Sequence, residues 1–273
     1  MNARAEPIPF ATREAIRGAF WLRRAYAMFR AAPLRWLLLL FTYYALAALA
    51  ELGPWGAYGT LAASVLKPVF AVGFLAAAWA QERGGRPAFA DLFRGFRSNL
   101  WALIPLGIVF VLGMTVAFMA TTLVDGGLLI GLLSGELQPS DELLRSGRVQ
   151  LALLFGLACA LPTLLALWFA PALVVFNDAG ALTALTTSFR AALANWRPVA
   201  VFGLIVFLYG GALPVLCLTV ARLFGAGVAT VVAIALVLPY LFGFLATFQI
   251  SDYVAYRDVF HADEPPPVTP AEA

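Results

Sequence analysis

Six apolar runs, each about as long as a helix that crosses a bilayer, dominate this chain. They cover Leu34–Ala50, Gly59–Ala80, Leu100–Leu123, Gln150–Phe176, Val199–Leu223 and Gly225–Ile250. Only 12% of the 273 residues are charged and 62% are hydrophobic, against about 25% charge in a soluble domain. Lipid needs no polar coat, whereas water does. The fold class expected is therefore all-α, a polytopic membrane helix bundle of six transmembrane helices forming three hairpins. Residues 1–33 read as an N-terminal amphipathic interfacial segment, 34–261 as the transmembrane domain and 262–273, with Pro265-Pro266-Pro267 and acids, as a disordered tail. The apolar stretch begins only after a long basic segment, which argues for a retained first span rather than a signal peptide.

Prolines lie inside several runs: Pro68, Pro162, Pro171 and Pro239. Neighbouring helices and side chains can satisfy the backbone groups that a proline frees, so these positions predict kinks in continuing spans.

Arginine placement sets the orientation. Of the 17 arginines, 14 fall before the first run, between runs two and three, between four and five, or after run six; Arg145, Arg148 and Arg222 fall on the other side. Basic residues near span ends mark the cytoplasmic face. An even number of spans then puts both ends of the chain there.

Before each hairpin comes an amphipathic stretch. In the first, Ala15, Ala19, Leu22, Tyr26 and Phe29 share a face, with Arg13, Arg17 and Arg24 on another. In the second, Phe89, Leu92, Phe93 and Phe96 are flanked by Asp91, Arg94 and Arg97. In the third, Leu182, Leu185, Phe189, Leu193 and Trp196 align beside Arg190. An apolar stripe with arginine flanks suits the interface plane. These six arginines, Arg13, Arg17, Arg24, Arg94, Arg97 and Arg190, are therefore expected to meet anionic headgroups, each contributing about 1 kcal/mol near the surface. Trp36, Trp101 and Trp196 at the span entries fit the headgroup level. The alternative is that the three helices simply pack on the bundle. Anionic membrane lipids and membrane-protein partners are the expected contacts; nucleic acid is not, because the basic residues line the membrane edge.

The stretches Gly18–Trp36, Pro68–Phe74 with Asp91-Leu-Phe-Arg-Gly-Phe96, and Phe169–Asp178 leading to Ser188–Trp196 resemble an uncharacterised proteobacterial inner-membrane family of BPSS type. That family is similar to the membrane domain joined to some bacterial glycerophosphodiester phosphodiesterases and to YciC-type envelope proteins. The resemblance covers roughly Gly18 to Arg257 and implies a six-helix inner-membrane protein without an assigned activity. No stretch of this chain could hold the phosphodiesterase catalytic domain. Lys67 departs from the small residue that the resemblance leads one to expect.

Two polar residues stand out. Lys67 falls within the second run, where a charge costs about 3 kcal/mol on insertion scales. It is a functional candidate, a lysine snorkelling outward, or a structural charge satisfied by Glu51, Asp125 or carbonyls freed near Pro68. Asp178 precedes the third amphipathic helix, where it suits an N-cap or, alternatively, a proton or ligand role. Asn99 and Asn195 are expected to satisfy backbone groups. Cys159 and Cys217 read as small apolar fillers.

No catalytic, cofactor-binding or metal motif emerges. The one histidine, His261, lies beyond the last run, and no phosphate-binding glycine loop follows a strand. The leading expectation is a non-enzymatic envelope protein associated with lipid or acting as an adaptor. The alternative is a transporter or channel-like component for a small or lipidic substrate, suggested by proline-interrupted spans and Lys67. An intramembrane lipid enzyme would need convergent polar residues that the chain does not display.

Overall fold

In the computed structural model, which describes residues 8–138, 140 and 146–261, the chain is helical and has no strand among those residues. The tail 262–273, read as disordered from composition, lies outside the described residues. Helix α1, Arg17–Ala31, leads into the first span, α2, Pro33–Leu52. The second span is a bent pair: α3, Ala57–Val65, and α4, Lys67–Glu82, meet at 42°. A 3-10 helix, Phe89–Arg97, follows. The third span is α5, Leu100–Ala120, extended by the short α6, Thr122–Asp125, with α7, Leu128–Ser134, after it. The fourth is α8, Arg148–Trp168, and α9, Ala170–Phe176, followed by α10, Ala181–Ala194. The fifth joins α11, Trp196–Val206, a π-helical turn, Phe207–Ala212, and α12, Leu213–Arg222. The sixth joins α13, Ala226–Val232, a second π-helical turn, Ala233–Val237, and α14, Leu238–Phe260. Five of these stretches are long and apolar enough to cross a membrane, and the bent pair makes a sixth. The protein is an all-α polytopic membrane bundle.

Proline explains where the spans are interrupted. Pro68, Pro171, Pro214 and Pro239 each occupy the first turn of a helix that follows a break or a π turn. A proline lacks an N–H and its ring crowds the carbonyl four residues back, so the preceding turn bends or widens. Pro162, also expected to mark a kink, sits inside α8, which is continuous.

At the bend of the second span two neighbours come unusually close. A Cβ on Gly107 of α5 would fall 1.9 Å from the Val65 carbonyl oxygen, and one on Gly95 of the 3-10 helix 1.9 Å from that of Val69. Glycine on both flanks lets α5 and the 3-10 helix grip either side of the break.

The core is concentrated at the arginine-rich end. Trp21, Trp36, Leu92, Phe169, Leu173, Ile250, Tyr253 and Tyr256 are all fully buried there. The opposite halves of the fifth and sixth spans pack chiefly on each other and leave Phe207, Leu216, Leu223 and Ile234 exposed. Lipid tails are as apolar as leucine, so this exposure carries no hydrophobic cost in a bilayer.

The apolar stripes supply only part of the packed faces of the amphipathic segments. In α1 the bundle takes Gly18, Trp21, Leu22, Ala25 and Met28, whereas Tyr26 stays exposed. In α10 the packed residues are Ala184, Ser188, Ala191 and Ala192; Leu182, Leu193 and Trp196 point away. Small side chains permit close helix approach, so the small face rather than the large apolar stripe wins the interior. The second segment is a 3-10 helix with Leu92 and Asp91 buried. Trp36 is also a correction: it is buried, and its indole donates to Gln81 Oε1 at 2.9 Å. The sixth span does not stop at Ile250 but continues as helix to Phe260.

Candidate functional site

The extension of α14 past Ile250 brings Asp258 to the arginine-rich end, where it collects four donors. Its carboxylate accepts from Arg17 Nε at 3.0 Å and Trp21 Nε1 at 2.8 Å, both at Oδ2, while the Arg17 terminal nitrogen pairs with Oδ1. Arg13 Nε lies 3.5 Å from Oδ1 and donates to the Asp258 backbone carbonyl at 2.8 Å. Planar guanidinium groups meet a carboxylate best in this two-pronged way. Helix α1 supplies Arg17 and Trp21 one turn apart, so both reach the same acceptor on α14.

The segment before α1 is tied down from two sides. Asn195, fully buried at the end of α10, accepts from the Arg13 N–H at 2.7 Å and donates to the carbonyls of Ala11 at 3.0 Å and Ala191 at 2.9 Å. The Ala11 N–H donates to the Val259 carbonyl at 2.7 Å. One asparagine thus closes a helix end and holds a strap across the bundle. Asn99 acts more locally, accepting from the Ala102 N–H at the start of α5.

A second polar group adjoins the first. Glu82, at the end of α4, accepts from the Tyr253 hydroxyl at 2.5 Å and pairs with Arg257 Nε at 3.2 Å. Tyr256 donates to Asn177 Oδ1 at 2.6 Å and its hydroxyl lies 2.8 Å from His261 Nε2. Gln81 ties α4 to α1 by donating to the Met28 carbonyl at 2.8 Å.

Between these groups opens a polar cavity of about 800 Å³. Arg13, Arg17, Arg24 and Arg257 line it against Glu14, Glu82 and Asp258. Its wall holds four cations and three carboxylates. No buried side-chain nitrogen or oxygen among the described residues lacks a partner, and no three His, Cys, Asp or Glu side chains among them converge to hold a metal.

The six arginines assigned to headgroups divide into two sets. Arg13 and Arg17 are held by Asp258, and Arg94 pairs with Asp91 at 2.9 Å. These three are engaged within the fold. Arg24, Arg97 and Arg190 are exposed and form no ion pair among the described residues.

Lys67 sits at the bend of the second span, exposed on the outer surface, with its ammonium 4.5 Å from the Phe110 ring centroid. That distance is a cation–π contact. Neither Glu51 nor Asp125 pairs with it; Asp125 is occupied by the N–H groups of Gly127 and Leu129. Lys67 does not line the polar cavity. Asp178 is not the N-cap of α10. That position falls on Gly180, and Asp178 instead adopts a left-handed backbone, φ 51°, just after α9. The Ala179 N–H reaches back to the Leu173 carbonyl at 3.2 Å, so the turn at Asp178 folds back onto the end of α9. Cys159 and Cys217 are unbridged and half-buried.

Sequence reading missed Asp258, Trp21 and Glu82. The available signal was the run Asp252, Tyr253, Tyr256, Arg257 and Asp258, whose polar groups continue the helical spacing of the last span.

A curated protein of Burkholderia thailandensis, described as the probable inner membrane protein BTH_II0599, is 31% identical over 256 residues, covering 91% of this chain and 92% of that protein. No family model matches the chain. No solved structure matches it.

Proposed function

The chain belongs to the family of that Burkholderia inner-membrane protein, and from this premise we propose that it is a non-enzymatic protein that gathers anionic lipid at its arginine-rich end, with that end facing the cytoplasm. The carrying observation is the trio Arg24, Arg97 and Arg190, exposed and without ion pairs among the described residues. Outward apolar side chains accompany them: Tyr26 on α1, Phe96 on the 3-10 helix, Leu182 and Leu193 on α10. Charge beside outward apolar surface is what an interfacial helix needs. The excess of arginine at this end supports its cytoplasmic placement. Kinship with the membrane domain of glycerophosphodiester phosphodiesterases and with YciC-type proteins belongs to the same proposal, supported by the Asp91–Phe96 and Phe169–Asp178 stretches.

The test is lipid selectivity. Wild-type protein and an Arg24→Gln, Arg97→Gln, Arg190→Gln variant are placed in nanodiscs of mixed phosphatidylglycerol and phosphatidylethanolamine, and the lipids retained on mild extraction are weighed by mass spectrometry. Wild type retains phosphatidylglycerol in excess of its share, and the triple variant loses most of that excess. Equal retention by both proteins overturns the proposal.

A second reading, transport of a small or lipidic substrate, draws on one observation: the second, fifth and sixth spans are each interrupted. Interrupted helices line substrate sites in transporters. Lys67, facing outward over Phe110, adds no support to it.

A further inference from the structure

Helix α1 separates two cavities. Its Arg17, Arg24 and Met28 side face the polar one, and its Ala19, Leu22, Arg23, Tyr26 and Phe29 side face a second of about 710 Å³. The second is a slot between α1, the fifth span and the sixth, walled by Ile205, Tyr209, Tyr240, Gly243 and Phe244. This size lies within the range of about 300–1,000 Å³ typical of small-ligand sites. From Pro239 to Thr247 its α14 wall runs eight helical steps, about 12 Å.

The walls are apolar and the rim is not. Tyr240 donates its hydroxyl to the Tyr209 carbonyl at 2.8 Å, and Thr247 donates to the Gly243 carbonyl at 2.8 Å, so both hydroxyls are already engaged. Arg23, at the α1 side, is exposed and forms no ion pair among the described residues. Both π-helical turns border the slot: Tyr209 lies in one, and Pro239 follows the other. Widened turns of this kind recur at functional sites because they free backbone carbonyls and re-aim side chains. The apolar stripe of α1 that failed to enter the core, Ala19, Tyr26 and Phe29, roofs this slot instead. The stripe therefore faces a space open at its exposed tyrosines, Tyr26 and Tyr209, to the surrounding membrane.

We propose that this slot holds one acyl chain of an anionic phospholipid whose phosphate is bound by Arg23. The proposal rests on the reading that the arginine-rich end lies at the lipid headgroup level. Charge selects the occupant: a lone cation sits at the rim of an apolar channel, matching an anionic head on an apolar tail. Among the described residues the walls carry no further side chain that is charged at neutral pH.

The test uses the full chain in phosphatidylethanolamine nanodiscs doped with phosphatidylglycerol that bears a diazirine midway along one acyl chain. After irradiation, adducts are mapped by peptide mass spectrometry. The expected result is adducts concentrated on Tyr209, Tyr240 and Phe244. Arg23→Gln lowers them by about fivefold, the factor expected of one basic residue near an anionic surface. Gly243→Leu, which fills the slot beside Phe29 at 3.5 Å, abolishes them. Arg222→Gln, exposed at the far end of α12 and outside the slot, leaves them unchanged. Adducts spread over all exposed apolar faces, or unaltered by Arg23→Gln, overturn the proposal. If phosphatidylglycerol is enriched overall but the slot stays unlabelled, the slot fails while the lipid-gathering function stands. If there is no enrichment at all, both fall.

Discussion

Trp21 and Asp258 stand 237 residues apart in the chain, and the indole of one donates to the carboxylate of the other at 2.8 Å. This bond closes the bundle, because α1 precedes the first span and Asp258 lies in the last turn of α14, at the end of the sixth. Arg17 completes the pair of donors on α1, and Arg13 follows through the strap held by Asn195.

Removing that acceptor leaves two arginines and an indole without their shared partner. Asp258→Ala is expected to destabilise the protein by about 3 kcal/mol, the lower end of the cost of breaking a buried pair. The lower end applies because the Arg17 side chain remains 36% exposed. A thermal melt of the detergent-purified variant measures this; an unchanged midpoint contradicts the closing role of Asp258.

Glycine contacts offer a paired comparison. Gly107→Ala must push aside the Val65 backbone, which lies 1.9 Å from the new Cβ, and is expected to cost about 1–3 kcal/mol as an overpacked contact. Gly203→Ala meets no atom within 4 Å and should stabilise α11 by about 0.5–1 kcal/mol through helix propensity. Melting midpoints that move in the same direction for both would refute the close approach of α5 to the bend.

Lys67 faces outward, so it is expected to be dispensable. Lys67→Leu removes the cation over Phe110, a contact worth about 0.5–1 kcal/mol at exposed sites, and also removes a charge that membrane insertion disfavours. Yield and midpoint of the folded variant should match wild type within that margin. In a Cys159→Ser, Cys217→Ser background, Lys67→Cys should resist a water-soluble thiol reagent in intact membranes. Rapid labelling there would reveal a hydrated path and favour transport.

The spans were legible because hydropathy and proline act over a few turns, and both are written in adjacent residues. The division of arginines was legible for the same reason. The role of each arginine was not: Arg13, Arg17 and Arg24 look alike in sequence, yet two are held by Asp258 and one is exposed. Only the fold brings Asp258 back to α1. Which face of α10 packs was not legible, because Ala184, Ser188 and Ala191 approach the bundle more closely than Leu182 or Leu193 can. Asp178 was misread as opening α10 when its left-handed backbone closes α9. The slot could not be read at all, since it forms where two π turns widen spans that look regular in sequence.

All lipid contacts assigned to the arginine-rich end depend on which side of the membrane it faces. Alkaline phosphatase, active only outside the cytoplasm, fused directly after His261 reports that side. The enzyme is expected to be inactive there and active when inserted in the connection around residue 140. An active fusion after His261 would place Arg24, Arg97 and Arg190 on the outer face and contradict the account.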